Sequence, residues 1–141
     1  MTYKNISLVI ILSLFLFSIY CAITIGVSWD EPFHHTQGAL RAEYIKTFGD
    51  FKSYNFSSST QFYPGLYDTI SFVLVKFLLN IFSNKYFVEI KHLINLLFSL
   101  LTLFGLFMLS KKLFNRKVAC LTVILCFDNP FFFGHMAMNP K

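Results

Sequence analysis

Trp29-Asp30-Glu31-Pro32-Phe33-His34-His35 is the stretch around which the chain is organised, because it stands where an apolar segment meets water. The 22 residues from Ile6 to Val27 carry no charge, and a helix of that length crosses a hydrocarbon core of ~30 Å. Two carboxylates and two imidazoles follow, in a chain with only seven acidic residues and four histidines. Charge at a membrane edge is costly, so this stretch is the first candidate for a functional site. The simpler interpretation is a turn that starts an interfacial helix.

The composition indicates an integral membrane protein. Of 141 residues, 55% are hydrophobic and 13% are charged, whereas soluble domains carry about 25% charged residues. The net charge of +5 is spread thinly, and without a clustered basic face we expect no nucleic-acid partner. Cys21, Cys120 and Cys126 all lie in apolar runs and suggest neither a metal site nor a disulfide framework.

The first apolar run could also be a signal peptide. Such peptides have an apolar region of about 7–15 residues followed by a small-residue cleavage site. The run here is longer, and Tyr20 places a bulky side chain directly before Cys21. We therefore favour an uncleaved span.

The hydropathy pattern predicts an all-α membrane protein with three transmembrane helices and juxtamembrane helices in a long first outer loop. The stretch from Leu66 to Phe82 contains Asp68 and Lys76 and is marginal in length for a span. An interfacial helix suits it better. The predicted spans cover about 6–27, 92–110 and 118–130, and the outer loop covers 28–91 with interfacial helices at about 32–48 and 66–82.

Charge bias decides between three and four spans. Four cations fall within the seven residues Lys111 to Lys117. If all four apolar runs crossed the membrane from a cytoplasmic N-terminus, this short loop would face outward, against the positive-inside tendency. With three spans it is cytoplasmic, and the stretch at Asp30 and the C-terminal residues from Gly134 share the outer face.

Asp30 and Glu31 are the candidate catalytic residues. A carboxylate can take the proton from an acceptor hydroxyl as that hydroxyl attacks a sugar, or it can hold a divalent cation. The alternative is helix capping and interfacial solvation. His34 and His35 could contact phosphate, a metal or the carboxylates, but adjacent residues of a helix point apart, so at most one imidazole joins Asp30.

A second polar cluster comprises His135, Asn139 and Lys141. Near a bilayer surface, Lys and His suit a lipid phosphate because both donate hydrogen bonds. Ordinary headgroup contact is the alternative. The Tyr63-Pro64-Gly65 turn with Asp68 could shape an acceptor site or only begin a helix.

These motifs, in this order, resemble the N-terminal part of the membrane-integral C-type glycosyltransferases. The nearest group is the dolichyl-phosphate-mannose protein mannosyltransferase-like, or family 39-like, superfamily. Residues Trp29 to His34 resemble the acidic pair that opens the first outer loop in this family, and Tyr63 to Asp68 resemble its juxtamembrane turn. Residues Lys111 to Arg116 resemble the family's basic cytoplasmic turn, and Asn129 to Lys141 resemble its second outer motif. The resemblance covers almost the whole chain but only about the first third of a usual member.

The resemblance implies that residues 1–141 are the N-terminal portion of a multi-span glycosyltransferase. The activity would be transfer of a glycosyl group from a polyprenyl-phosphate-linked sugar to an acceptor on the outer membrane face, in the plasma or inner membrane of a bacterium. Asp30 would be the general base or a carboxylate close to a metal, supported by Glu31, with His34, His135 and Lys141 binding substrate. A divalent cation is possible, and neither sugar nor acceptor is implied. The alternative function is a small non-catalytic membrane protein whose outer loop binds a partner.

Overall fold

The computed structural model describes residues 3–49 and 65–137, and within these ranges the chain is all-helical without a strand. This confirms the predicted all-α class. A 3-10 turn, Asn84–Tyr86, leads into the fourth helix. The α-helices are α1 (Tyr3–Thr24), α2 (Glu31–Lys46), α3 (Leu66–Leu79), α4 (Phe87–Leu113), α5 (Arg116–Asp128) and α6 (Pro130–Ala137).

The helices differ from the predicted segments mainly at their ends. Helix α4 starts before the predicted residue 92, because the Ser83 hydroxyl caps the preceding turn by accepting from the backbone N–H of Lys85 at 3.4 Å. The third predicted span, 118–130, corresponds to α5, whose 13 residues are few for a complete span. Helix α5 ends at Asp128, and α6 continues at an angle of 77°. Pro130 has no N–H to extend α5, and the Asn129 side chain instead accepts from the N–H of Phe131 at 3.0 Å.

Two helices in the described part of the chain are long and apolar enough to cross a membrane, Asn5–Thr24 and Asn84–Leu113. The bent pair of α5 and α6 makes a third if it forms one span. Leu8, Leu12 and Leu16 are each more than half exposed along α1, as expected for side chains that face lipid. Helix α3 has 14 residues and is therefore about 21 Å long, which is shorter than the hydrocarbon core.

The chain divides into two compact units. Unit 1 comprises residues 1–26 and 92–141, and unit 2 comprises residues 27–91. The core of unit 1 is a cluster of buried apolar side chains: Ala22, Leu96, Leu103, Val123, Phe127 and Met136. Buried polar groups find partners there. Nδ1 of His92 donates to the carbonyl oxygen of Ala22 at 3.1 Å, and the Asn95 amide donates to the carbonyl oxygen of His135 at 2.7 Å.

Unit 2 is built on the packing of α2 against α3. Gly38 makes the close approach possible, since a Cβ atom at that position would overlap the backbone carbonyl of Asp68. Asp68, Ser71 and Val75 form the buried face of α3, at the i, i+3, i+7 spacing of one helix side. At the other end of α2, the N–H of Gly49, in a left-handed conformation with φ 93°, donates to the carbonyl of Tyr44 at 3.0 Å. This satisfies a helix-terminal carbonyl.

Candidate functional site

Asp30 stands at the N-terminal boundary of α2. The helix itself begins at Glu31, with Pro32 in its first turn, so Asp30 and not Glu31 occupies the capping position. The Asp30 side chain makes no capping hydrogen bond to the helix. Its Oδ1 accepts from the hydroxyl of Ser28 at 3.1 Å, and the side chain is 19% exposed. The carboxylate is thus held at the helix end with part of its surface accessible.

Glu31 lies deeper than Asp30 and is only 3% exposed. Its backbone carbonyl accepts a hydrogen bond of 2.8 Å from Nζ of Lys91, which is itself buried. The carboxylates of Glu31, Asp68 and Asp30 attract this ammonium group. A buried ammonium is costly unless it is paired and hydrogen-bonded, so Lys91 links the start of α4 to the start of α2.

His34 connects two carboxylates. Its Nδ1 lies 3.2 Å from both oxygens of Asp68, and its Nε2 lies 3.9 Å from Oδ2 of Asp30. Because a carboxylate can only accept, Nδ1 donates to Asp68, and Nε2 is the ring nitrogen within 4 Å of Asp30. Arg41 holds Asp68 from the other side, with Nη1 3.4 Å from Oδ2. His34 and Arg41 therefore hold the carboxylate of Asp68 from two sides.

His35 does not join this group. Its ring lies 5.1 Å from that of Phe72 and 4.9 Å, edge-on, from that of Phe87. Burial lowers the pKa of His35 below 6.5, and the positive charge of Lys91 lowers it further. The expectation that only one of the two adjacent imidazoles would reach Asp30 agrees with this placement.

Two further polar side chains lie on the buried faces of these helices. Burial raises the pKa of Tyr67 to about 12. A hydrogen bond to Ser71 opposes the rise, and the charges of Asp68 and Glu31 add to it. Its phenol thus remains a hydrogen-bond donor at neutral pH. Gln37 is buried one turn after His34, and its Oε1 accepts no hydrogen bond from the residues that the structure describes.

The structure brings together three of the predicted site residues, Asp30, Glu31 and His34, in unit 2. The charged cluster of unit 2 comprises these residues with Asp68, Arg41 and Lys91. Sequence reasoning missed the roles of Arg41 and Lys91. A signal for Arg41 was available, because it follows His34 by seven residues and so shares its helix face.

The remaining predicted site residues are not part of this cluster. His135 belongs to unit 1, on α6, where its side chain is exposed and its backbone carbonyl accepts from Asn95. Lys141, Asn139 and the turn at Tyr63-Pro64 lie outside the described residues. Within residues 3–49 and 65–137, no three His, Cys, Asp or Glu side chains are placed to hold a metal ion.

Comparisons with known proteins return no relative of this chain. No family model matches it, and neither a curated protein nor a solved structure is similar to it. A functional interpretation therefore depends on the residues and geometry of the charged cluster.

Proposed function

We propose that this chain contributes the acid–base site of a glycosyl transfer from a polyprenyl-phosphate-linked sugar to an acceptor hydroxyl, as part of a longer enzyme. The observation that carries the proposal is the placement of Asp30. Its carboxylate is partly exposed at the start of α2 and faces an imidazole that a buried carboxylate holds in place. A general base must be accessible to the substrate, and its neighbours must hold it in position.

In the proposed reaction Asp30 takes the proton of the acceptor hydroxyl. The acceptor oxygen forms a bond to the anomeric carbon, while the bond from that carbon to the phosphate oxygen breaks and its electrons leave with the polyprenyl phosphate. The carboxylate strengthens the nucleophile as the bond forms. Glu31 is buried, so its role is to hold the start of α2 and to balance the charge of Lys91 rather than to meet substrate.

His34 and Asp68 support Asp30 after the proton has moved. With its Nδ1–H directed at Asp68, His34 presents the Nε2 lone pair to Asp30 across 3.9 Å. Closure of that gap by about 1 Å would bring the two atoms to hydrogen-bond distance. The proton could then pass to Nε2, and Asp68 would stabilise the imidazolium. Asp30 is thereby returned to its charged form.

The donor and the membrane complete the proposal. His34, His135 and Lys141 remain proposed contacts for the substrate, the last two on the lipid-phosphate side. The basic turn between α4 and α5, Lys111 to Lys117, supports a cytoplasmic position for that turn and for the N-terminus. The site would then act on the outer face of a bacterial plasma or inner membrane.

The test measures release of labelled sugar from polyprenyl-phosphate esters of mannose, glucose, galactose and aminoarabinose. Membranes from cells that express the complete gene product are supplied with each donor. We expect the label to leave the polyprenyl-phosphate donor, as separated by chromatography, with at least one of the four sugars, and Asp30→Asn to lower that rate by about a hundredfold or more. Glu43→Gln is the matched control, because Glu43 is an exposed carboxylate on the same helix.

Two outcomes would overturn the proposal. The Asp30→Asn protein could transfer sugar at the wild-type rate, or none of the four donors could show transfer that depends on Asp30. The first result would remove Asp30 as the base, and the second would favour the non-catalytic alternative, in which unit 2 binds a partner. Trp29, 99% exposed directly before Asp30, would then be the first residue to examine at that surface.

A further inference from the structure

We infer that unit 1 contains a binding site for one anionic phospholipid, separate from the charged cluster of unit 2. The site is an open cavity of about 630 Å³ lined by α1, α4 and α5. Its volume lies within the range of about 300–1,000 Å³ that is usual for small-molecule sites. An acyl chain would occupy the cavity, and the lipid phosphate would bind Arg116 and Lys117. This inference does not depend on the proposed glycosyl transfer.

The lining of the cavity has a large apolar part and a small polar part. All side chains around the cavity are apolar except those of Ser7, Arg116 and Lys117. The apolar part includes Leu103 and Phe127, which belong to the buried core of unit 1. A ligand that fills this space must therefore be hydrocarbon over most of its length and polar at one place.

The polar groups share one end of the cavity. Arg116 and Lys117 are the first two residues of α5, and Ser7 lies near the start of α1. The last residue of α5 that lines the cavity is Phe127, ten residues after Lys117, and this separation corresponds to about 15 Å along a helix. The cavity thus runs from a basic mouth into the apolar interior, as a phospholipid runs from headgroup to chain.

Charge complementarity selects the occupant. A guanidinium and an ammonium group side by side favour a phosphate, and Arg and Lys at a membrane surface attract anionic lipids. An apolar helix of a second copy could fill the cavity but would offer these cations no negative charge. A zwitterionic lipid would offer a phosphate together with a competing ammonium group. An anionic phospholipid fits both parts of the cavity. Its acyl chain matches the apolar lining, and its phosphate matches Arg116 and Lys117.

The experiment is native mass spectrometry of the full chain after extraction from vesicles with equal amounts of phosphatidylglycerol and phosphatidylcholine. We expect one phosphatidylglycerol to remain bound to the wild-type protein. Two double variants remove the same charge from the same turn: Arg116→Gln/Lys117→Gln at the cavity mouth, and Lys111→Gln/Lys112→Gln, whose side chains do not line the cavity. The first should retain the lipid about fivefold less than the second, because only the first also removes direct hydrogen bonds to the lipid phosphate.

Three results would overturn the inference. Equal losses in the two double variants would mean that the basic turn attracts lipid only through its overall charge. Unchanged retention in Arg116→Gln/Lys117→Gln would mean that the phosphate does not bind there. A lipid-free dimer of the wild-type chain would assign the cavity to a second copy. All four replaced side chains are exposed, and circular dichroism of each variant checks that the helices remain.

Discussion

Nδ1 of His34 lies 3.2 Å from both carboxylate oxygens of Asp68, across the contact between α2 and α3. Both side chains are buried, with 7% and 4% of their surfaces exposed. The pair therefore does two things at once. It joins the helices of unit 2 with a buried polar contact, and it fixes the ring of His34 so that Nε2 faces Asp30.

Replacement of Asp68 by Asn should destabilise unit 2. The substitution keeps the shape of the side chain but removes the charge that His34 and Arg41 share. Hydrogen bonds to charged groups contribute about 1.5–3 kcal/mol each, so we expect the free energy of unfolding to fall by about that amount. Denaturant titration in detergent micelles measures it. Glu43→Gln, which removes an exposed pair with Lys46, should change stability by less than about 0.5 kcal/mol, and equal effects would contradict the prediction.

Two glycine substitutions should act in opposite directions. A Cβ atom at Gly38 would meet the backbone of Asp68, so Gly38→Ala forces α2 and α3 apart. We expect a loss of about 1–3 kcal/mol. Nothing lies within 4 Å of a Cβ atom at Gly105 in α4, and Gly105→Ala should gain up to about 1 kcal/mol from helix propensity. Thermal unfolding followed by circular dichroism compares the two, and a stable Gly38→Ala protein would disprove the close approach.

Gln37→Met should stabilise the protein. The buried Oε1 of Gln37 accepts no hydrogen bond within residues 3–49 and 65–137, and a buried polar atom without a partner costs about 1–3 kcal/mol. Met has a similar length and flexibility and no such atom. We expect the free energy of unfolding to rise by about 1 kcal/mol in the same denaturant titration. If Gln37→Met instead unfolds more readily, then Oε1 contributes a polar interaction in the folded protein.

The stability of the protein should fall in mild acid because of His35. An unfolded chain titrates His35 near pH 6.5, whereas burial and Lys91 hold its folded pKa below that value. The unfolded state therefore binds more protons as the pH falls below 6.5, and this stabilises it relative to the folded state until the pH passes the folded pKa. His35→Phe keeps the aromatic contacts and removes the titration. Melting temperatures from pH 8 to 5 should decline less in this variant, and parallel curves would contradict the assignment.

The proposed topology makes the basic turn cytoplasmic and Trp29 external. In a background with Cys21, Cys120 and Cys126 replaced by Ala, single cysteines at Trp29 and Phe114 report the two sides, since both side chains are exposed. A membrane-impermeant maleimide should label Trp29→Cys in intact bacteria and Phe114→Cys only after permeabilisation. The reverse pattern would invert the topology and place the charged cluster of unit 2 in the cytoplasm.

Most helices were predictable because their causes are local. The uncharged run from Ile6 predicts α1, and Pro32 after the acidic pair predicts the start of α2 to within one residue. The shared face of Glu31, His34 and Gly38 also follows from helical spacing, and all three are buried. His35, the neighbour of His34, is only half-buried and turns toward Phe72 and Phe87.

The partners within the charged cluster were not predictable. His34 and Asp68 are 34 residues apart, and Glu31 and Lys91 are 60 apart. No periodicity relates residues on different helices. Likewise, the sequence marked Asp128-Asn129-Pro130 as the end of a helix but did not contain the 77° angle at which α6 continues.

The sequence by itself determined the helices and the concentration of charge after the first apolar run, since both depend on neighbouring residues and on their transfer from water. Tertiary structure decided which charges meet. The close approach of α2 and α3 at Gly38 brings Asp68 against His34, and α4 begins where Lys91 can reach the carbonyl of Glu31. Such pairing depends on how helices pack, and helix packing is a property of the whole surface of contact.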